Sequence, residues 1–158
     1  MTEADPEVGR AVRALALAAR ALERAAAVRE LTLAQFRVLA LIAAGDERSS
    51  LLADRLAVAK PTITAVVDGL VERGFVAREA VAGDRRSIRV AVTPSGAAAL
   101  SGAQQEMIDA LERIFVHARE REAVIAALVD LDDALALRSQ ARLRDEHGTT
   151  APGHEVAR

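Results

Sequence analysis

Lys60-Pro61-Thr62-Ile63-Thr64-Ala65-Val66-Val67-Asp68-Gly69-Leu70-Val71-Glu72-Arg73-Gly74-Phe75-Val76 is the stretch on which the fold turns. Pro61 fits the first turn of a helix, where its missing N–H has no partner to lose. Ile63, Val66, Val67 and Leu70 then share one side, while Lys60, Thr62, Thr64, Ala65, Asp68 and Gly69 fall largely elsewhere. Gly74 stops the helix, and directly after it the apolar residues change from the helical to the strand period. Phe75 to Arg78 reads as a short strand. Ile88, Val90 and Val92 alternate with Arg89 and Ala91 in a second, so the pair predicts a β-hairpin with one buried face and a tip at Ala82-Gly83-Asp84-Arg85-Arg86.

Upstream, Leu31-Thr32-Leu33-Ala34-Gln35-Phe36 has the form of a capping box, with Thr32 as the cap, Gln35 reaching back to it, and Leu31 and Phe36 placed for the hydrophobic staple. The helix it opens is expected over 33–44, with Phe36, Leu39, Ala40 and Ala43 inward and Gly45 ending it in a left-handed cap. Ser49 or Ser50 can cap a third helix carrying Leu52 and Leu56 one turn apart and closed by Val58. Followed closely by the helix at Pro61, this is a helix-turn-helix outline. Further out, residues 7–28 read as a helix because Val8, Val12, Leu15, Ala19, Leu22 and Ala26 share a face. Its arginine stripe, Arg10, Arg13, Arg20 and Arg24, is read as a solvated face.

Downstream, Thr93 can cap another helix with Pro94 in its first turn. From 94 to about 144 the pattern is helical, with Leu100, Met107, Leu111, Ile114 and Phe115 in one part and Val124, Leu128, Leu131 and Leu135 in another. A break is expected between Arg119 and Glu122; with no Gly or Pro there, one long bent helix is the alternative.

The 158 residues suit one compact unit, and alanine at 36 positions against three aromatics favours helix over sheet. Without cysteine, a disulfide framework, a thiolate zinc site and a cysteine redox sensor are excluded. His117, His147 and His154 are too scattered for a ligand cluster, and no metal or other cofactor is expected. Apolar runs such as Ala14 to Ala19 fall short of a membrane span, and the acidic start argues against a secretory signal, so a cytoplasmic location and no membrane partner are expected. Paired carboxylates, a nucleophile with a base and phosphate-cradling glycines were sought and none emerges; Asp130, Asp132 and Asp133 read as a solvated helix face, and no enzymatic activity is expected. The net charge of −2 is uneven. Residues 48–89 hold eight basic side chains against five acids, a weak basic bias between acidic flanks.

In sum the expected class is mainly α with a small two-stranded β wing. The order resembles the MarR family of winged helix-turn-helix transcription regulators. The resemblance rests on Leu33 to Leu39, Leu52-x3-Leu56, Val66 to Val76, and above all Asp84-Arg85-Arg86 followed by a strand and Thr93-Pro94-Ser95-Gly96; it is close over about residues 30–100. It implies an N-terminal dimerisation helix over 1–30, a winged helix-turn-helix DNA-binding domain over 31–93, C-terminal dimerisation helices over 94–144 and a disordered tail over 145–158.

The physics of the middle segment agrees with a partner of double-stranded DNA. Lys60, Pro61, Thr62, Thr64 and Ala65 at a helix start place a charge, hydroxyls and a methyl where base edges and phosphates would lie. Ser49 and Ser50 are candidates for backbone contact. Arg85 and Arg86 on a projecting wing suit a narrow minor groove, and the resemblance implies that Asp84 orients Arg86; a turn role for Asp84 is the other reading. Asp68 is read as structural or as an acceptor from a cytosine amino group. Where the family often has a long polar side chain on this helix, Ala65 and Gly69 stand here, which shifts readout toward a thymine methyl and DNA shape.

The resemblance further implies a homodimer on a pseudo-palindromic operator, acting as a repressor, with a small-molecule effector as a candidate partner. No effector residue is assigned: Phe36, Met107 and Phe115 are better explained by core packing, and His117 by solvent. The alternative function is a winged-helix protein-interaction module without specific DNA binding.

Overall fold

A computed structural model describes residues 5–45, 52, 53, 56, 58–81 and 84–148, with 80, 81, 84–88 and 142–148 described by backbone alone. Helix α1 spans Pro6–Ala27, α2 Leu33–Ala43, α3 Lys60–Glu72, α4 Pro94–Phe115 and α5 Arg121–Gly148. Between α2 and α3, Leu52, Ala53 and Leu56 are also helical. Strands β1 (Val76–Val81) and β2 (Asp84–Val92) form one antiparallel hairpin.

Three helix starts have a side-chain cap. Asp5 accepts from the Glu7 amide at 2.9 Å and Pro6 takes the first position of α1, one residue upstream of the expected start. The capping box of α2 is complete: Thr32 Oγ1 accepts from Gln35 N at 3.1 Å, and Gln35 Oε1 accepts from Thr32 N at 3.0 Å. Thr93 Oγ1 accepts from Gly96 N at 3.0 Å at the head of α4. The chain does break before Arg121, and α5 then runs to Gly148, past the expected 144. At the break Arg121 donates to Glu112 at 2.6 Å; the Glu112 carboxylate, by that hydrogen bond first and by its charge second, raises the guanidinium pKa.

The core lies where α2, α3, the hairpin and the second half of α1 meet α4. Leu31, Leu39, Leu52, Ile63 and Leu70 are its largest fully buried side chains along with Val38 and Val67. Each stabilises the fold by roughly 1.5–3 kcal/mol relative to exposure. On the hairpin, Val76 opposite Val92 and Arg78 opposite Val90 share the inner face, while Glu79 and Arg89 pair across the outer one at 2.7 Å.

The hairpin departs from expectation at its end. Val81 pairs with Asp84, so Asp84, Arg85 and Arg86 have strand backbone rather than forming a five-residue tip, and only Ala82 and Gly83, outside the described residues, separate the strands. Backbone pairing depends on the amide ladder, and charged side chains at 85 and 86 give no sign of it in the sequence.

Two faces find no cover among the described residues. Val8, Val12 and Leu15 on the first half of α1 are exposed, and so are Val124, Leu128, Leu131 and Leu135 along α5. Of residues 121–141, only Ile125 and Ser139 are even half-buried. No helix among the described residues is long and apolar enough to cross a membrane.

Candidate nucleic-acid interface

The polarity of α3 separates core from surface along one helix. Ile63, Val67 and Leu70 are each 1% exposed or less, whereas Lys60, Pro61, Thr62, Thr64 and Ala65 are all exposed. Ala59, at the N-cap, offers no side-chain oxygen, so the helix N-terminus is open at that end. The positive end of the helix dipole lies there, beside Lys60. Thr64 donates its hydroxyl to the Lys60 carbonyl at 3.1 Å, which fixes the side chain and leaves the oxygen's lone pairs available as acceptors.

Asp68, one turn further on, makes an ion pair with Arg78 of β1. That geometry carries the structural reading of Asp68. The carboxylate sits on the same helix as the proposed reading surface, and Arg78 balances it while tying α3 to the inner face of the hairpin. The backbone of Asp84, Arg85 and Arg86 continues strand β2 of that hairpin, and their side chains are not among those described. Ser49 and Ser50 lie outside the described residues.

Charged groups that the sequence did not single out gather at the far end of α3. Arg73 donates from Nη1 to the Glu30 carbonyl at 2.5 Å, and its Nη2 lies 3.3 Å from the Glu30 carboxylate. The guanidinium also stands 4.5 Å over the Phe75 ring. Glu30 has φ 58°, the one positive-φ residue other than glycine among those described.

A cleft of about 500 Å³ opens between the end of α2, the end of β2 and the head of α4. Ala43, Val92 and Leu100 form its apolar wall, and Ser101 and Gln104 its polar one. Phe36, Met107 and Phe115 do not line it; Met107 belongs to the core and Phe36 packs against it, as the packing argument expects, whereas Phe115 is half-buried outside that cluster. His117 is exposed.

Residues 30–87 match the model of the MarR family. That segment carries a MarR-family winged helix. Among solved structures, the MarR fold recurs over most of the chain. CouR bound to a 23-mer DNA duplex is 28% identical, with 79% of this chain and 89% of that chain covered at a TM-score of 0.69. MarR from E. coli in its apo form is 26% identical, with 80% and 95% covered at 0.65. CouR from Rhodococcus jostii RHA1 bound to p-coumaroyl-CoA is similar in fold, at 24% identity, 79% and 87% coverage and a TM-score of 0.66. No curated protein sequence matches the chain. The likeness spans about four fifths of the chain, so the shared fold extends beyond residues 30–87.

Proposed function

We propose that this MarR-family chain is a transcriptional repressor that binds a pseudo-palindromic operator as a homodimer. The observation that carries this reading is the split surface of α3, buried along Ile63, Val67 and Leu70 and open at Lys60, Pro61, Thr62, Thr64 and Ala65. The open end enters the major groove, where Thr62 and Thr64 meet base edges, Ala65 meets a thymine methyl and Lys60 meets phosphate. The wing, with Arg85 and Arg86 and with Asp84 orienting Arg86, lies along the adjacent minor groove. Ser49 and Ser50 contact the DNA backbone ahead of α3.

The domain limits follow the same reading, with 1–30 and 94–144 as dimerisation helices around the winged domain 31–93. Support for the dimer comes from the uncovered apolar residues of α1 and α5, which a second copy would cover. Two reading helices related by a two-fold axis engage half-sites roughly 10 bp apart. An effector, if bound in the cleft beside Val92 and Leu100, would be an apolar small molecule with a neutral polar group facing Ser101 and Gln104. That CouR has been solved both with DNA and with p-coumaroyl-CoA supports a regulator with an effector.

The test is selection from a random duplex library, followed by fluorescence anisotropy on the recovered duplex and on a scrambled one at one salt concentration. The expected discrimination is at least ~10³-fold. Arg86→Ala should weaken binding to both duplexes and reduce the salt slope by about 1, whereas Thr64→Ala should lower discrimination. Equal weak binding of the wild type to both duplexes would overturn the reading.

A further inference from the structure

The three residues that follow α3 are gripped from two sides by segments that are far apart in the chain. On one side is the corner between α1 and α2. Arg73 holds the Glu30 carbonyl at 2.5 Å and its carboxylate at 3.3 Å, and the neighbouring Arg29 reaches across to Glu106 of α4 at 3.0 Å. On the other side is the head of α4. Thr93 Oγ1 and Ser95 Oγ lie 2.7 Å and 2.8 Å from the Gly74 carbonyl, and Thr93 N donates to the Phe75 carbonyl at 3.0 Å. A Cβ on Gly96 would stand 2.0 Å from that same Phe75 oxygen, so this approach exists only because residue 96 has no side chain.

These contacts serve no DNA group directly. What they share is that three consecutive residues, Arg73, Gly74 and Phe75, connect α3 to α1 and to α4, of which α1 carries exposed apolar residues on its first half. The connection lies at the end of α3 opposite the open N-terminus. A helix of 13 residues is about 20 Å long, so a tilt of about 10° at this end displaces the other by about 3 Å, close to the rise of one base pair.

We propose that the joint made by Arg73 with Glu30, and by Gly74 and Phe75 with Thr93, Ser95 and Gly96, sets the angle of α3 against the long helices and thereby the half-site spacing the dimer accepts. Arg73 and Ser95 are positioning residues in this device, acting through α3. The inference rests on the DNA-binding reading above, and its test separates the two.

The duplex selected by the wild type is remade with one base pair added or removed at its centre, and the affinities are compared. The wild type is expected to lose at least about tenfold on either altered duplex, because a shift of one base pair moves and rotates one half-site relative to the other. Arg73→Ala, checked for folding and dimerisation by circular dichroism and light scattering at the assay temperature, is expected to bind the original duplex about tenfold more weakly and to prefer it over the altered ones by less than about threefold. Arg73→Lys keeps a donor for the Glu30 carbonyl and should recover most of the spacing preference. Ser95→Ala, which removes one of the two hydroxyls on the Gly74 carbonyl, tests the joint from its other side and stands in if Arg73→Ala does not fold. A folded Arg73→Ala, or in its place a folded Ser95→Ala, with the spacing preference of the wild type overturns the proposal. A wild type that recovers no duplex overturns the DNA-binding reading itself, and with it this inference.

Discussion

Helices α1 and α3 end in the same way and with opposite chemistry. In α3, Phe75 N bonds the Leu70 carbonyl and Gly74 N bonds the Val71 carbonyl, with Gly74 at φ 70°. In α1, Leu31 N bonds the Ala26 carbonyl and Glu30 N bonds the Ala27 carbonyl, with Glu30 at φ 58°. Both are Schellman motifs, in which the residue of left-handed backbone is usually glycine. Placing a residue with a Cβ there costs about 1–2 kcal/mol. The difference shows that a local rule can be overridden when a third segment holds the strained residue: Arg73, from α3's own end, grips the Glu30 carbonyl. The two helix ends are one joint, with the permissive residue on one side and the strained one on the other.

Substitutions can pull the two ends apart. The largest effect is expected at Gly96, against which the α3 end packs: Gly96→Ala drives a methyl into the Phe75 carbonyl and should lower unfolding free energy by about 3 kcal/mol, read as a fall in the denaturant midpoint. Gly74→Ala comes next. Nothing lies within 4 Å of the position its Cβ would take, so the cost is that of left-handed backbone less the entropy gained from the unfolded chain, a net loss of about 1 kcal/mol. Glu30→Gly should act in the other direction and stabilise by about 0.5 kcal/mol, because relief of strain exceeds the added chain entropy and the loss of a carboxylate whose side chain is 87% exposed. It keeps the carbonyl that Arg73 holds. If Glu30→Gly instead destabilises, the carboxylate contributes more than the backbone strain costs, and the two ends are less alike than their hydrogen bonds indicate.

Much of the architecture was legible because its causes are local. The Thr32 and Gln35 box, Pro61 and Pro94 in first turns, Gly45 and Gly74 at helix ends, and the apolar spacing of α3 all act over four residues or fewer, and each stands where the sequence places it. Legibility failed where the cause was not local. The hairpin end was misjudged because pairing of Val81 with Asp84 belongs to the ladder between two strands. Asp68 kept two readings until Arg78 was brought onto it. Glu30 gave no warning of a left-handed backbone, since glutamate has no preference for it.

The sequence by itself determined the helical segments, the caps of α2 and α4, the presence of a two-stranded wing and the exposed residues at the start of α3, because periodicity and capping are properties of neighbouring residues. Tertiary structure alone decided how α3 is mounted. Its grip depends on Arg73 meeting Glu30 across 43 positions of chain and on Thr93 and Ser95 meeting Gly74 across about 20. Such contacts form only when the core has closed the intervening loops, and no pattern of adjacent residues announces them.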